Sequence, residues 1–178
     1  MALKEGRKDV SWGFRNPIDG WHTVSFQEGI TLAINEKSGK ESLRIPMAVD
    51  EGSEDDGCRV TAFINTRDEN REPYKNADQN IADIITNAGM YEAFSKKFAD
   101  ADSWLDKRII DAMALKLPGT FVMIETKIQK DSNGNDRCNV MGWAPKGTKK
   151  EPKKAAAAKG EKKAAATTEA KADAGSDW

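Results

Sequence analysis

The stretch Val24-Ser25-Phe26-Gln27-Glu28-Gly29-Ile30-Thr31-Leu32-Ala33-Ile34 places apolar residues at 24, 26, 30, 32 and 34, with Glu28 standing where another is due. A bulge or bend at Glu28 and Gly29 keeps Val24, Phe26, Ile30, Leu32 and Ile34 on one face. A strand broken in this way is long and strongly curved. Working outward, Ser38-Gly39-Lys40 makes a turn. Leu43, Ile45, Met47 and Val49 then alternate with Ser42, Arg44, Pro46 and Ala48 as a second strand. Pro46 removes one ladder donor and points to an edge or a bulge. After the acidic loop Asp50 to Gly57, residues Arg59 to Asn65 read as a third strand. Val60, Ala62 and Ile64 face one way, and Phe63 shares the other face with Arg59 and Thr61.

The period then lengthens. Ile81, Ile84, Ile85 and Ala88 sit at helical spacing, with Asn76 or Asp78 as cap and Gly89 at the stop. Met90, Phe94 and Phe98 suit a short helix. A further helix is expected from about Ser103 to Leu115, capped by Asp102 or Ser103, with Leu105, Ile109 and Met113 on one stripe and Leu117-Pro118-Gly119 ending it. Strands return at Phe121 to Ile128 and Arg137 to Trp143, and Asn133-Gly134 between them is a two-residue hairpin signal.

Three strands, a helical insertion at about 76–116 and a closing hairpin describe a mainly β domain over residues 1–145. That order is expected of an OB-fold, a five-stranded barrel with a helix between its third and fourth strands. SH3-like barrels and helix-decorated sandwiches share the same coarse order. Residues 146–178 collapse to Ala, Lys, Glu, Thr and Gly with an acidic, aromatic tip; such a segment cannot bury enough apolar surface to fold alone and is expected to be a disordered tail.

Charge is distributed in blocks. The chain of 178 residues has a formal net charge of -1 and a mean hydropathy of -0.70. Met1 to Pro145 holds 19 Lys+Arg against 24 Asp+Glu, a net of -5, whereas Lys146 to Lys171 holds 9 Lys against 3 Glu, a net of +6. Blocks of this kind mark interaction tails. No uncharged run exceeds eight residues and the N-terminus has no apolar stretch, so no membrane association is expected and the location is expected to be cytoplasmic. Cys58 and Cys138 are expected to be reduced, packed thiols.

Enzyme signatures are wanting. Gly39-Lys40 lacks the earlier glycine and the Ser or Thr of a phosphate-binding loop, and Asp131-Asn133-Asn135 lacks the glycine and closing Glu of a calcium loop. The acids Asp50, Glu51, Glu54, Asp55 and Asp56 read as a solvated loop. His22 is the only histidine, so a zinc site would need acidic ligands to complete it. His22 and Trp21 read instead as a plug at one end of the barrel. No metal, cofactor or catalytic activity is expected.

Binding chemistry follows from the outward positions. Arg44, Arg59 and Phe63 suit phosphates and a stacked base. Lys37 and Lys40 in the first turn, and Lys127, Lys130 and Arg137 around the hairpin, border the same face. Trp12, Phe14, Trp143 and Tyr74 are further stacking candidates. At the free end, Asp173, Asp177 and Trp178 form an acidic hook for another protein's pocket, because a Trp there has no core to join.

The curved strand leading to Glu36-Lys37-Ser38-Gly39-Lys40, the alternating strands, the helix at Ile81 to Gly89, the late hairpin and the aromatic-ended tail resemble the replication single-stranded-DNA-binding proteins of tailed bacteriophages. The resemblance covers about residues 20–145 and the tip. It implies a protein that coats and protects single-stranded DNA in replication, recombination or repair, as a monomer or dimer in the host cytoplasm. It further implies a tip, Asp173, Asp177 and Trp178, that recruits a polymerase, helicase or primase. The lysine-rich arm departs from the acidic or neutral tails of that family. A non-enzymatic module binding a host protein is the alternative, favoured by the acidic body, and duplex compaction by the arm is a third reading.

Overall fold

Gly29, at φ +99°, divides the first strand into β1 (Gly20–Phe26) and β2 (Thr31–Ile34). The computed structural model describes residues 15–148. In it these strands are followed by β3 (Glu41–Val49), β4 (Arg59–Arg67), α1 (Ala77–Asn87), α2 (Tyr91–Lys97), α3 (Lys107–Lys116), β5 (Phe121–Lys130) and β6 (Asp136–Pro145).

One edge of β3 serves both halves of the bent strand. Thr31 to Ile34 pair with Arg44 to Glu41, and Val24 to Phe26 pair with Val49 to Met47. Pro46 sits at the hand-over, where its carbonyl accepts the Gln27 N–H at 2.9 Å. In an antiparallel strand a residue's N and C=O point to the same edge, so the missing donor faces the one place where the ladder is already interrupted. The opposite edge of β3 pairs with β4, β1 continues to β5, and β5 pairs with β6.

The result is a six-stranded antiparallel sheet with β4 and β6 at its ends. The expected barrel of five strands is therefore corrected in two respects: the first strand is two, and among the described residues no ladder joins β4 to β6. Helix α1 packs on both of these strands and side chains bridge them, so they meet without hydrogen-bonding.

The core lies on the face covered by the helices. Val24, Phe26, Leu43, Ile45, Met47, Val60 and Ile124 meet Ile81, Ile84 and Ile85 of α1, with Ile109 and Met113 of α3 and Leu117 just beyond it, all within the same buried cluster. Burial of each such side chain contributes about 1.5–3 kcal/mol. Ile30 is buried and Leu32 half-buried, but Ile34 is 57% exposed, because β2 is short and outruns the core.

The helices depart from expectation only at their starts. Asn76 holds the N-cap position of α1 without a side-chain bond. Asp78 instead accepts from the Ser103 hydroxyl and the Trp104 N–H, both at 2.6 Å. These contacts pin residues 103–104 as a turn. Helix α3 therefore begins at Lys107, capped by Asp106, which accepts the Arg108 N–H at 2.9 Å. Gly89, at φ +74°, ends α1 as expected.

The hairpin loop differs as well. Among the described residues Arg71 is the one non-glycine with positive φ, so Asn133 cannot form the two-residue turn that needs φ > 0 at both centres. Asp131 Oδ1 accepts from the N–H groups of Asn133 and Asn135, both at 2.9 Å, and Gly134 takes φ +80°, giving a longer turn.

Candidate nucleic-acid interface

Alternation along β3 and β4 decides which side chains reach solvent. Leu43, Ile45, Val60 and Ala62 point inward and are buried; Arg44, Arg59 and Phe63 point outward and are exposed. Register then sets them side by side, with Thr31, Arg44 and Phe63 in one cross-strand row and Arg59 two rows away beside Ala48. The outward positions Ser42, Arg44, Pro46, Ala48, Arg59, Thr61, Phe63 and Asn65 include no acid.

At the open seam Phe63 is 49% exposed, and the guanidinium carbon of Arg137 lies 5.4 Å from its ring centroid. This is a cation–π contact between two strands that share no ladder. Around it lies a cavity of about 220 Å³ lined by Thr61, Phe63 and Ile64 from β4 and by Arg137, Cys138, Asn139 and Trp143 from β6.

Pairing divides the arginines. Arg15 binds Asp55, Arg67 and Arg71 bind Glu41, and Arg108 binds Asp100 and Asp106. Arg44, Arg59 and Arg137 have no carboxylate within 4.0 Å among the described residues, and all three border the seam or the β3–β4 face. Those side chains retain their full capacity for phosphate.

The remaining candidates distribute as follows. Lys37 and Lys40 are exposed in the β2–β3 turn, which Asn35 shapes by accepting the Lys37 and Ser38 N–H groups at 2.9 and 3.2 Å. Lys127 is exposed opposite Asn139. Lys130 is engaged by Asp136 at 2.7 Å, an exposed pair worth under about 1 kcal/mol and readily exchanged. Tyr74 is half-buried at the far end of β4, where its N–H donates to the Thr66 carbonyl. Trp12, Phe14, Asp173, Asp177 and Trp178 lie outside the described residues.

Trp143 lines the seam cavity, but from the inner side of the sheet. Strict alternation from Arg137 places it on the outer face, but the β5–β6 register shifts at Glu125/Thr126, where Val140 pairs with Thr126 and Gly142 with Glu125. Met141 becomes the extra residue, and Trp143 turns inward to stack on Phe26, with ring centroids 6.2 Å apart and planes 10° apart. The available signal was Gly142, a glycine inside a strand. A Cβ there would sit 3.3 Å from the Trp21 ring.

Cys138, expected as a packed thiol, is half-buried in the wall of the seam, a position the sequence did not indicate. Burial pushes it up to about 11, and burial likewise raises Cys58. Both thiols are free.

The acidic loop is not simply solvated. Asp55 is 4% exposed and accepts the Ile18 N–H at 3.1 Å, while Glu51 meets His22 Nδ1 at 2.8 Å. Asp56 accepts the Glu51 N–H at 2.8 Å, which holds its carboxyl below the usual range. Among the described residues no helix is long and apolar enough to cross a membrane. No protein-family model matches the chain, and no curated protein matches it.

Proposed function

We propose that this is a non-enzymatic protein that coats single-stranded DNA, and that its open sheet is an OB-type barrel whose closing seam has become a binding groove. The observation that carries the reading is the partition of the arginines. Arg15, Arg67, Arg71 and Arg108 each bind a carboxylate, whereas among the described residues Arg44, Arg59 and Arg137 have none within 4.0 Å and lie on the face or seam that carries the exposed Phe63. An exposed aromatic beside two such guanidinium groups, with a third farther along the same face, offers stacking and phosphate pairing together. Lys37, Lys40 and Lys127 extend the cationic border, and Lys130 joins it by exchanging Asp136 for phosphate.

The Ala/Lys arm adds sequence-independent attraction and tethers a tip, Asp173, Asp177 and Trp178, that docks replication proteins. Truncation after Ala170 leaves DNA binding nearly intact and removes that recruitment. The setting is the cytoplasm, that of a host cell if the chain is phage-encoded.

Amide chemical-shift mapping with a poly-dT oligonucleotide tests the reading. Shifts are expected at β3, β4 and β6 around Arg44, Arg59, Phe63 and Arg137. Shifts confined to Lys146 to Lys171 would overturn it. The net -5 of the body favours a second reading, a module binding a basic protein surface, in which the β3–β4 face is unmoved by any oligonucleotide.

A further inference from the structure

We propose that His22, Glu51 and Asp55 form a binding site for a zinc-class divalent cation, independent of the nucleic-acid face. His22 is the chain's one histidine and is 3% exposed at the start of β1. Its Nε2 lies 2.7 Å from the Ile18 carbonyl oxygen. A carbonyl only accepts, so Nε2 carries a proton. That leaves Nδ1 directed at Glu51 Oε1, 2.8 Å away. That contact spans a hydrogen-bond distance, and an ion bound by both atoms would replace it.

The surroundings favour a built site. A backbone carbonyl holding the far ring nitrogen is the arrangement that orients metal-binding imidazoles. Each carboxylate is fixed by one backbone N–H, with Thr23 donating to Glu51 Oε2 at 3.0 Å and Ile18 to Asp55 Oδ2 at 3.1 Å. Glu51 Oε1 lies against the histidine, and one ligand atom from each of the three residues lies within 4.8 Å of the others. Imidazole nitrogen with two carboxylate oxygens suits zinc, with water completing the coordination. The acids that sequence alone could not assign to His22 are thus supplied by the β3–β4 loop.

Two groups compete with the ion. The Ser53 hydroxyl donates to Glu51 Oε1 at 2.8 Å, and the Arg15 guanidinium lies 3.0 Å from Asp55 Oδ1. The Arg15 side chain is 48% exposed, and its Nη2 also donates to the Glu54 carbonyl at 2.7 Å, so the ion must displace both contacts. Metal binding therefore displaces Arg15 and releases to solvent any proton on Nδ1.

With a single histidine the test is direct. The full chain, labelled with ¹⁵N, is titrated with Zn²⁺ and separately with ¹¹³Cd²⁺, and the His22 ring is observed. The expected result is saturation at one equivalent, a shift of Nδ1 with Nε2 still protonated, and cadmium coupling to Nδ1. Glu51→Gln should weaken binding about tenfold or more, and Arg15→Gln should strengthen it by removing the competitor. The Glu51 variant guards against a His22 variant that fails to fold. A proton retained on Nδ1 in excess Zn²⁺ would overturn the proposal. Affinity unchanged by Glu51→Gln would do the same by moving the ion to the thiols or elsewhere.

Discussion

Arg137 of β6 lays its guanidinium over the ring of Phe63 of β4, 5.4 Å from carbon to centroid, across a boundary where, among the described residues, the two strands share no ladder. The contact gives the seam a floor that is cationic and aromatic at once. A stacked base and its phosphate require those two properties together.

Phe63 is the centre of the account. Phe63→Ala should weaken binding of a dT oligonucleotide by about 1–3 kcal/mol, since stacking on an aromatic platform is worth that much per base. Its half-exposed ring leaves stability nearly unchanged on removal. Fluorescence-anisotropy titration checks the first expectation and urea denaturation the second.

The unpaired arginines should be visible in salt dependence. Arg44→Ala, Arg59→Ala and Arg137→Ala should each reduce the slope of log affinity against log salt by about 0.7, the value for one single-strand phosphate contact. Arg108→Ala should leave the slope unaltered, because that side chain sits on α3, on the side of the sheet opposite Arg44 and Phe63. Titrations at a series of salt concentrations separate the two classes.

The bend that divides the first strand depends on Gly29. At φ +99° a side chain is strained, although the space is adequate, the nearest atom to an added Cβ being Pro46 Cγ at 3.8 Å. Gly29→Ala should therefore cost about 1–2 kcal/mol through the backbone alone. Equilibrium urea denaturation measures it as a lower midpoint with an unchanged slope.

Cys138 reports on the seam by pH. Its thiol is held up to about 11 by burial, so the reactive thiolate is scarce at neutral pH. Alkylation by iodoacetamide, followed at the Cys138 peptide by mass spectrometry, should rise about tenfold per pH unit through pH 10. Single-stranded DNA should slow it further. A plateau near pH 9 would contradict the burial.

Much of the fold was legible because its signals are local. Leu43 to Val49 and Arg59 to Thr66 alternate cleanly, and Ile81, Ile84 and Ile85 have helical spacing bounded by Gly89; each pattern needs only its own stretch to be read. The side of the sheet occupied by Arg44, Arg59 and Phe63 followed from the same alternation. Non-local features were not legible. Closure of the barrel depends on how β4 and β6 approach over α1, and no single segment encodes that distance. The inward turn of Trp143 was not legible, because a one-residue register shift opposite Glu125 inverts everything beyond it. The partners of His22 come from a loop about thirty positions on, where an acidic run gives no sign of which carboxylates turn inward.

The most direct measurement is a titration of intrinsic Trp fluorescence with poly-dT and with duplex DNA at two salt concentrations, for the full chain and for a chain ending at Pro145. The account predicts quenching by the single strand in both, weaker at high salt and weaker for the duplex, since Trp143 borders the seam. No response from the shorter chain would contradict it, confining any affinity for DNA to the lysine-rich arm.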